Sequence, residues 1–211
     1  MAQFFSIHPE NPQSRLVRLA VGIVRAGGVI VYPTDSCFAL GCQIGDKPAM
    51  ERIRAIREVD ARHHFTLVCR DLGEAAVYAR MDDNQFRLMK AALPGSYTFI
   101  LQATREVPRR LLNSKRKTIG VRIPAHRVAR ALLTELGEPL LSSTLLLPGY
   151  ETAFSDAQEI REQLESRVDL VIDAGVCDTV PSTVVDLTQN VPIVTRLGKG
   201  DPTTFGDLVG A

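Results

Sequence analysis

Much of what would announce a function outright is missing from this chain. Its four cysteines, Cys37, Cys42, Cys69 and Cys177, form no C-x-x-C pair, and no histidine stands at zinc-finger spacing from them. That excludes a disulfide or zinc scaffold and points to reduced, buried thiols in a cytosolic protein. The opening M-A-Q-F-F-S-I-H-P-E has no basic run and no long apolar core, so no signal peptide is expected. The most apolar stretch, from Leu19 to Tyr32, is interrupted by Arg25, Gly27 and Gly28 and is no membrane span. A formal net charge of +1 over 211 residues rules out a global polyelectrolyte, so any nucleic-acid contact must come from local clustering. There is no G-x-S-x-G elbow for a hydrolase triad, no Walker A sequence, no repeat and no low-complexity segment.

What the chain does have is alternation of helix and strand patterns. Hydrophobic residues make up 45%, enough for a substantial core. Leu16, Leu19, Ala20, Ile23 and Val24 follow the spacing of an amphipathic helix, opened by Asn11-Pro12 and closed by Gly27-Gly28. Strands are predicted over 29–32, 40–44, 65–69, 96–103, 118–123, 140–145, 168–172, 183–187 and 192–197. Helices are predicted over about 48–57, 73–79 and 83–93, and along Val128, Ala131, Leu132 and Leu136. Ser155 with Gln158 has the pattern of a capping box that opens one more helix. Several strands follow one another without a crossover helix, which argues for a mixed sheet. The expectation is a three-layer α/β fold, a single domain over 1–211, with a Gly- and Pro-rich tail loose from about residue 199.

Four polar constellations interrupt the apolar pattern. The strand at 29–32 stops at Pro33 and delivers Thr34, Asp35 and Ser36 side by side. Strand tips in α/β sheets are frequent ligand sites, where hydroxyls can bond a phosphate or carboxylate and Asp35 can hold an ammonium group. The same residues also suit an Asx- or ST-turn that only satisfies the loop backbone. Leu140-Leu141-Ser142-Ser143-Thr144 repeats the motif of hydroxyls at an apolar strand end, and buried hydroxyls need partners. Pro181-Ser182-Thr183 precedes another strand, and Arg196-Leu197-Gly198 closes the next. Between Arg105 and Arg130 lie nine Lys/Arg residues and one acid, Glu106. This basic cluster suits either a phosphate-facing surface or a solvated face, and without interleaved aromatics it does not indicate base stacking. Arg122 stands apart, flanked by Val121 and Ile123, where a buried guanidinium needs an anion such as Asp35, a glutamate or a bound substrate group. His63-His64 is read as part of a loop, without metal-ligand spacing.

Taken in order, Y-P-T-D-S-C-F-A-L-G-C at 32–42, T-I-G-V-R-I-P at 118–124, L-L-S-S-T at 140–144, P-S-T-V-V-D-L at 181–187 and R-L-G at 196–198 resemble the YrdC family. The likeness is closest to its YciO branch through H-H-F-T-L-V-C-R-D-L at 63–72 and V-P-R-R-L-L at 107–112. The resemblance implies a twisted mixed sheet flanked by helices, a fold shared with DHBP-synthase-like enzymes, with a concave, positively charged face. It also implies a nucleotidyltransferase activity. Typical members make threonylcarbamoyl-adenylate from threonine, bicarbonate and ATP, releasing pyrophosphate, with Mg2+ entering as the ATP complex and no tightly bound metal. The product serves a threonylcarbamoyl modification of tRNA.

Carried over by position, Thr34 would contact the threonine, Arg122 its carboxylate, and Ser142 and Thr144 the nucleotide phosphates, with Arg196 closing over the nucleotide. Asp35, Ser36 and Ser182 fall in the same substrate-binding segments, and Arg57 and Thr144 take the catalytic positions. Two departures stand out. Where typical members carry Lys-x-Arg, this chain has Arg57-Glu58-Val59, and where they carry Ser-x-Asn it has Thr144-Leu145-Leu146. Arg54, Arg62 or His64 are the candidates to supply the missing polar group.

The competing expectation is a non-catalytic protein that binds double-stranded RNA, tRNA or the ribosome through Arg109, Arg110, Lys115, Arg116 and Lys117. A riboflavin-pathway activity on a sugar phosphate is disfavoured, because no acidic metal cluster accompanies Asp35 or Asp186. A cytoplasmic monomer or weak dimer, without membrane contact, is the expected state.

Overall fold

A computed structural model of the chain describes residues 1–60, 63–111, 117–189 and 191–205, apart from the side chain of Arg110. In chain order the elements are β1 (Gln3–Ser6), α1 (Ser14–Arg25), β2 (Ile30–Tyr32), β3 (Ala39–Gln43), α2 (Lys47–Arg57), β4 (Thr66–Val68), α3 (Leu72–Tyr78), β5 (Ala79–Arg80), α4 (Asp83–Ala92), β6 (Tyr97–Ala103), β7 (Thr118–Arg122), α5 (Arg127–Leu136), β8 (Leu140–Thr144), α6 (Ala157–Leu164), β9 (Leu170–Asp173), β10 (Thr183–Asp186) and β11 (Ile193–Arg196). The strands form one mixed sheet in the order β1-β9-β2-β3-β8-β4-β7-β6-β10-β11, with β5 paired to β6. Pairs β1·β9, β2·β9, β4·β7 and β6·β10 are parallel, whereas β2·β3, β3·β8, β4·β8, β6·β7 and β10·β11 are antiparallel.

Side chains alternate across a strand, so each strand feeds two layers. On one face Val31, Leu40, Leu67, Phe99, Leu101, Val121, Leu141 and Val185 meet Met50, Ile53 and Ile56 of α2, Met89 of α4 and Ile160 and Leu164 of α6. On the other face α1 and α5 lay Val17, Ala20, Val21, Val24, Val128, Leu132 and Leu136 over Ile30, Tyr32, Leu140, Leu170 and Ile172. This second helical layer packs on strands β9, β2 and β3 and on the Leu140 and Val68 ends of β8 and β4, and no residue of β7, β6 or β10 belongs to it. The floor of the cavity described below lies there.

Three local expectations are revised. The N-cap of α6 is Asp156, which accepts from the amides of Gln158 and Glu159 at 2.7 and 3.1 Å, so Ser155 lies one residue outside the cap. A carboxylate is acceptor-only and also suits the positive end of the helix dipole. Asp156→Ala is therefore expected to lower the unfolding free energy by about 1 kcal/mol, and Ser155→Ala to change it little, as read from urea denaturation. The tail expected to be loose from about residue 199 is instead held as far as Phe205. Lys199 N donates to Pro181 O, Thr183 Oγ1 to Gly200 O and Tyr97 Oη to Asp201 O, and the Phe205 ring packs edge-on against Tyr97 and Phe99. The N-terminal residues, given no element from the sequence, add β1 in parallel to β9. No helix among the described residues is long and apolar enough to cross a membrane.

Candidate functional site

The uncovered half of the sheet forms the floor of a cavity of about 570 Å³, within the size range of small-molecule and cofactor sites. The floor follows from register. Ser142, Thr66, Gly120, Ile100 and Asp186 stand in one row across β8, β4, β7, β6 and β10. Val68 and Arg122 are paired in the next row, as are Thr98 and Val184. Their side chains line the same cavity, which is rimmed by Arg57, His63, His64 and Leu146 on one side and by Pro181, Ser182, Thr195 and Arg196 on the other. Gly120 sits mid-floor, where a Cβ would stand 3.2 Å from Thr66 Oγ1 and 3.4 Å from Thr98 Cγ2.

Arg122 ends β7 with a side chain that is 9% exposed. Its Nη2 donates to Asp35 Oδ1 at 3.0 Å and to Thr34 Oγ1 at 3.1 Å, while its Nε is buried with no partner. The Thr34-Asp35-Ser36 turn is thus built around Arg122. Asp35 also accepts from Ser96 Oγ at 2.7 Å and from Ala125 N at 3.2 Å. Thr34 donates its hydroxyl proton to Cys37 O at 2.6 Å and accepts from Ser36 N. Burial alone would raise the Asp35 carboxyl, but the charge of Arg122 and the bonds from Ser96 and Arg122 outweigh it and hold the group below its ordinary value. These three residues stand behind Arg122, and the chain reaches the cavity wall at Cys37, Phe38 and Ala39.

Ser142 Oγ donates to Leu40 O at 3.0 Å, so Tyr32 Oη, 2.8 Å away, donates to Ser142. Burial pushes that phenol up to about 12 and keeps it a donor at neutral pH. Ser182 Oγ lies 2.8 Å from Thr98 Oγ1 and accepts from Arg196 Nη2 at 3.2 Å, while Arg196 Nε and Nη2 both donate to Ser182 O. Gly198 makes this fold-back possible, because a Cβ there would fall 2.2 Å from Pro181 O. Arg57, in the last turn of α2, donates from Nη1 to Ser143 Oγ at 2.6 Å and from Nε to Leu146 O at 3.4 Å. The backbone carbonyl of Leu146 thus contacts the guanidinium. Burial, and then the charge of Arg196, pull Arg57 below its ordinary value, and Arg196 is lowered by its own burial and by Arg122.

Of the residues singled out from the sequence, Arg57, Arg122, Ser142, Thr144, Ser182 and Arg196 line one cavity, while Thr34, Asp35 and Ser36 do not. Arg54 points elsewhere, to Glu51 and the Phe65 ring, and His64 lines the cavity. Arg62 lies outside the described residues. So do Lys115, Arg116 and the side chain of Arg110, while Arg109 and Lys117 are exposed. Sequence reasoning missed the floor residues Thr66, Thr98, Ile100 and Gly120. Their signal was a period-two alternation of small or polar residues with core residues in adjoining strands. It also missed His63 as the neighbour of Arg57. Among the described residues, no group of three His, Cys, Asp or Glu is placed to hold a metal ion.

Residues 22–198 match the family model described as "Telomere recombination", which groups Sua5, YciO and YrdC proteins. The uncharacterised protein YciO of Escherichia coli is 58% identical over 205 residues, covering 97% of this chain and all of that protein. Its crystal structure superposes with a TM-score of 0.94. A threonylcarbamoyl-AMP synthase of Idiomarina loihiensis is 35% identical over 150 residues, covering 69% of this chain and 79% of that enzyme. The Sua5 protein of P. abyssi, crystallised with L-threonine, has a TM-score of 0.85 at 26% identity; the match covers 92% of this chain and 57% of that one. With the family model matching from the first helix to the end of the last strand, and a 58% identical relative matched along its whole length, the chain belongs to the Sua5/YciO/YrdC family.

Proposed function

We propose that the chain is a divergent threonylcarbamoyl-adenylate synthase that joins ATP, threonine and bicarbonate in this cavity. The observation that carries the reading is the state of the three arginines. Arg122 is paired with Asp35, whereas among the described residues Arg57 and Arg196 donate only to carbonyls, hydroxyls and a ring nitrogen. Two guanidinium groups without carboxylate partners, on either side of a half-enclosed floor, attract a polyanion. Arg122 reaches the cavity wall beside its pair with Asp35, and a guanidinium there suits the carboxylate of an amino acid. Relatives named as threonylcarbamoyl-AMP synthases, and a relative crystallised with L-threonine, support this choice of substrates.

The amine of threonine adds to bicarbonate with loss of water, giving an N-carboxylate. One of its oxygens attacks the α-phosphorus of ATP, the bond to the bridging oxygen breaks, and pyrophosphate leaves. ATP enters as its magnesium complex, the ion travelling with the substrate. The protein's part is to hold carboxylate and phosphates in line and to neutralise the charge shifting to pyrophosphate. Arg122 anchors the amino acid, and Arg57 and Arg196 flank the phosphates. Ser142, Ser182 and Thr144 bound the reacting centre, and the product would feed tRNA modification. The test is pyrophosphate release by the purified protein with magnesium, ATP and bicarbonate, with and without threonine. Release that depends on threonine is the expected result. Its absence, beside a working synthase in the same assay, overturns the reading.

A further inference from the structure

His63 is a side chain on the cavity wall that this chemistry has not used. Its Nε2 lies 3.0 Å from Arg57 Nη1 and 2.9 Å from Ser143 Oγ. Its ring is fixed edge-on by Phe65, with centroids 5.6 Å apart. A guanidinium N–H only donates, so the nitrogen facing it must accept. The ring is then neutral, with its proton on Nδ1. In this state His63 and Ser143 together hold the Arg57 fork at the rim. Among the described residues, the charged and titratable groups whose fields reach the ring are Arg57 and Arg54 from α2, Asp60 from the loop that follows, and the adjacent His64, while β8 contributes the neutral Ser143.

We propose that His63 is a positioning residue for Arg57 that becomes a second anion ligand when a polyphosphate enters the cavity. The inference rests on the anion-binding reading of the cavity. An oxygen of the incoming anion takes over as the acceptor for Arg57. Nε2, released from that role, picks up one proton from solvent and becomes a donor to the same anion. Neutral His63 is favoured otherwise for the same geometric reason: burial first, and the charge of Arg57 next, lower its pKa to about 4. A bound anion compensates both effects and moves the group back toward its ordinary value of 6.5. The linkage has a definite sign. Protons are taken up on binding, so affinity rises as pH falls toward and below the raised value. Recovery of the ordinary value corresponds to about a tenfold gain in affinity between pH 7.5 and 5.5.

The test compares wild-type protein with His63→Gln, which keeps an acceptor for Arg57 but cannot titrate. Binding of ATP and of inorganic tripolyphosphate is measured by calorimetry at pH 7.5 and 5.5, in two buffers of different ionisation enthalpy. The ligands' own titration is common to both proteins and cancels in the difference. The expected result is an affinity advantage of wild type that grows about tenfold at the lower pH, with roughly one extra proton taken up per anion near pH 5.5. As a check that does not depend on the variant folding, the His63 ring resonances of wild-type protein should titrate near 4 alone and well above it with tripolyphosphate. Identical pH dependence in both proteins, or a His63 titration unmoved by tripolyphosphate, overturns the proposal. Tripolyphosphate binding with the expected proton uptake but no ATP binding upholds His63 and defeats the nucleotide reading. Binding of neither ligand at either pH overturns both.

Discussion

Arg122→Ala will lower the unfolding free energy by about 3 kcal/mol and abolish threonine binding. The stability loss follows from what the substitution leaves behind. The Asp35 side chain is 15% exposed and keeps its bonds from Ser96 and Ala125 but no positive charge beside it among the described residues once the guanidinium is gone. Breaking a buried ion pair from one side costs about 3–5 kcal/mol, and those two remaining donors place this case at the lower end. The double variant Arg122→Ala/Asp35→Ala should recover part of the loss, because it removes the stranded charge as well. Arg122→Lys should rescue part of the stability but not threonine binding. One nitrogen, Nη2, makes both bonds to Thr34 and Asp35, and an ammonium can also donate to both. It lacks the remaining arm of the planar fork for a ligand carboxylate. The pH dependence has a fixed sign. The folded-state pKa of Asp35 is depressed, so the contribution of the pair is fully present above the unfolded value of about 3.9 and is lost as pH falls through the lower folded value. Urea unfolding of the three variants, with calorimetry against threonine, decides the matter. A loss below about 1 kcal/mol, the range of an exposed pair, would mean that Arg122 and Asp35 are not coupled as described.

Gly120→Val should do the opposite, sparing the fold and closing the site. Gly120 lies in the middle of β7 and carries no left-handed backbone, so a β-branched residue suits its conformation. A Cβ meets Thr66 Oγ1 and Thr98 Cγ2, both side-chain atoms that can give by a few tenths of an ångström. The two added methyl groups project into the cavity, where an ATP or threonine ligand would have to displace them. An overpacking penalty of about 1–3 kcal/mol then falls on the complex, which is roughly a ten- to hundredfold loss of affinity. Thermal unfolding of the variant should resemble that of wild type, while the stabilisation by ligand shrinks or vanishes. Undiminished binding would show that ligands do not rest on this floor.

The contrast between the two variants reflects what could be read from residues alone. Period-two and period-3.6 patterns located most strands and helices to within a residue or two, because burial on one face is a local signal. The cap of α6 slipped by one position because Ser155 and Asp156 are both good caps and only the backbone selects between them. The docked tail was illegible for another reason. Its Gly, Pro and Asp residues read as loop, and the partners that hold it, Tyr97, Phe99 and Pro181, are remote in sequence. In the site, Arg122 was legible as a cation that needs a counter-charge, since two apolar neighbours left it nowhere else to go. The division of labour around it was not. Thr34, Asp35 and Ser36 look like ligand-facing oxygens in a string of letters, yet their bonds run to Arg122, Cys37 and Ser96. His63 was hidden because its significance depends on Arg57 and Ser143, which meet it only after the sheet is assembled.

Strand backbone, shared among β8, β4, β7, β6 and β10, underlies the floor of the cavity, while its three arginines stand at strand ends and on the last turn of a helix. Changing the bottom of the site therefore disturbs pairing with neighbours on both sides, whereas the mouth can be rewritten one side chain at a time. Substitutions at rim positions such as Arg57 and Leu146 therefore alter the cavity without breaking a strand pair.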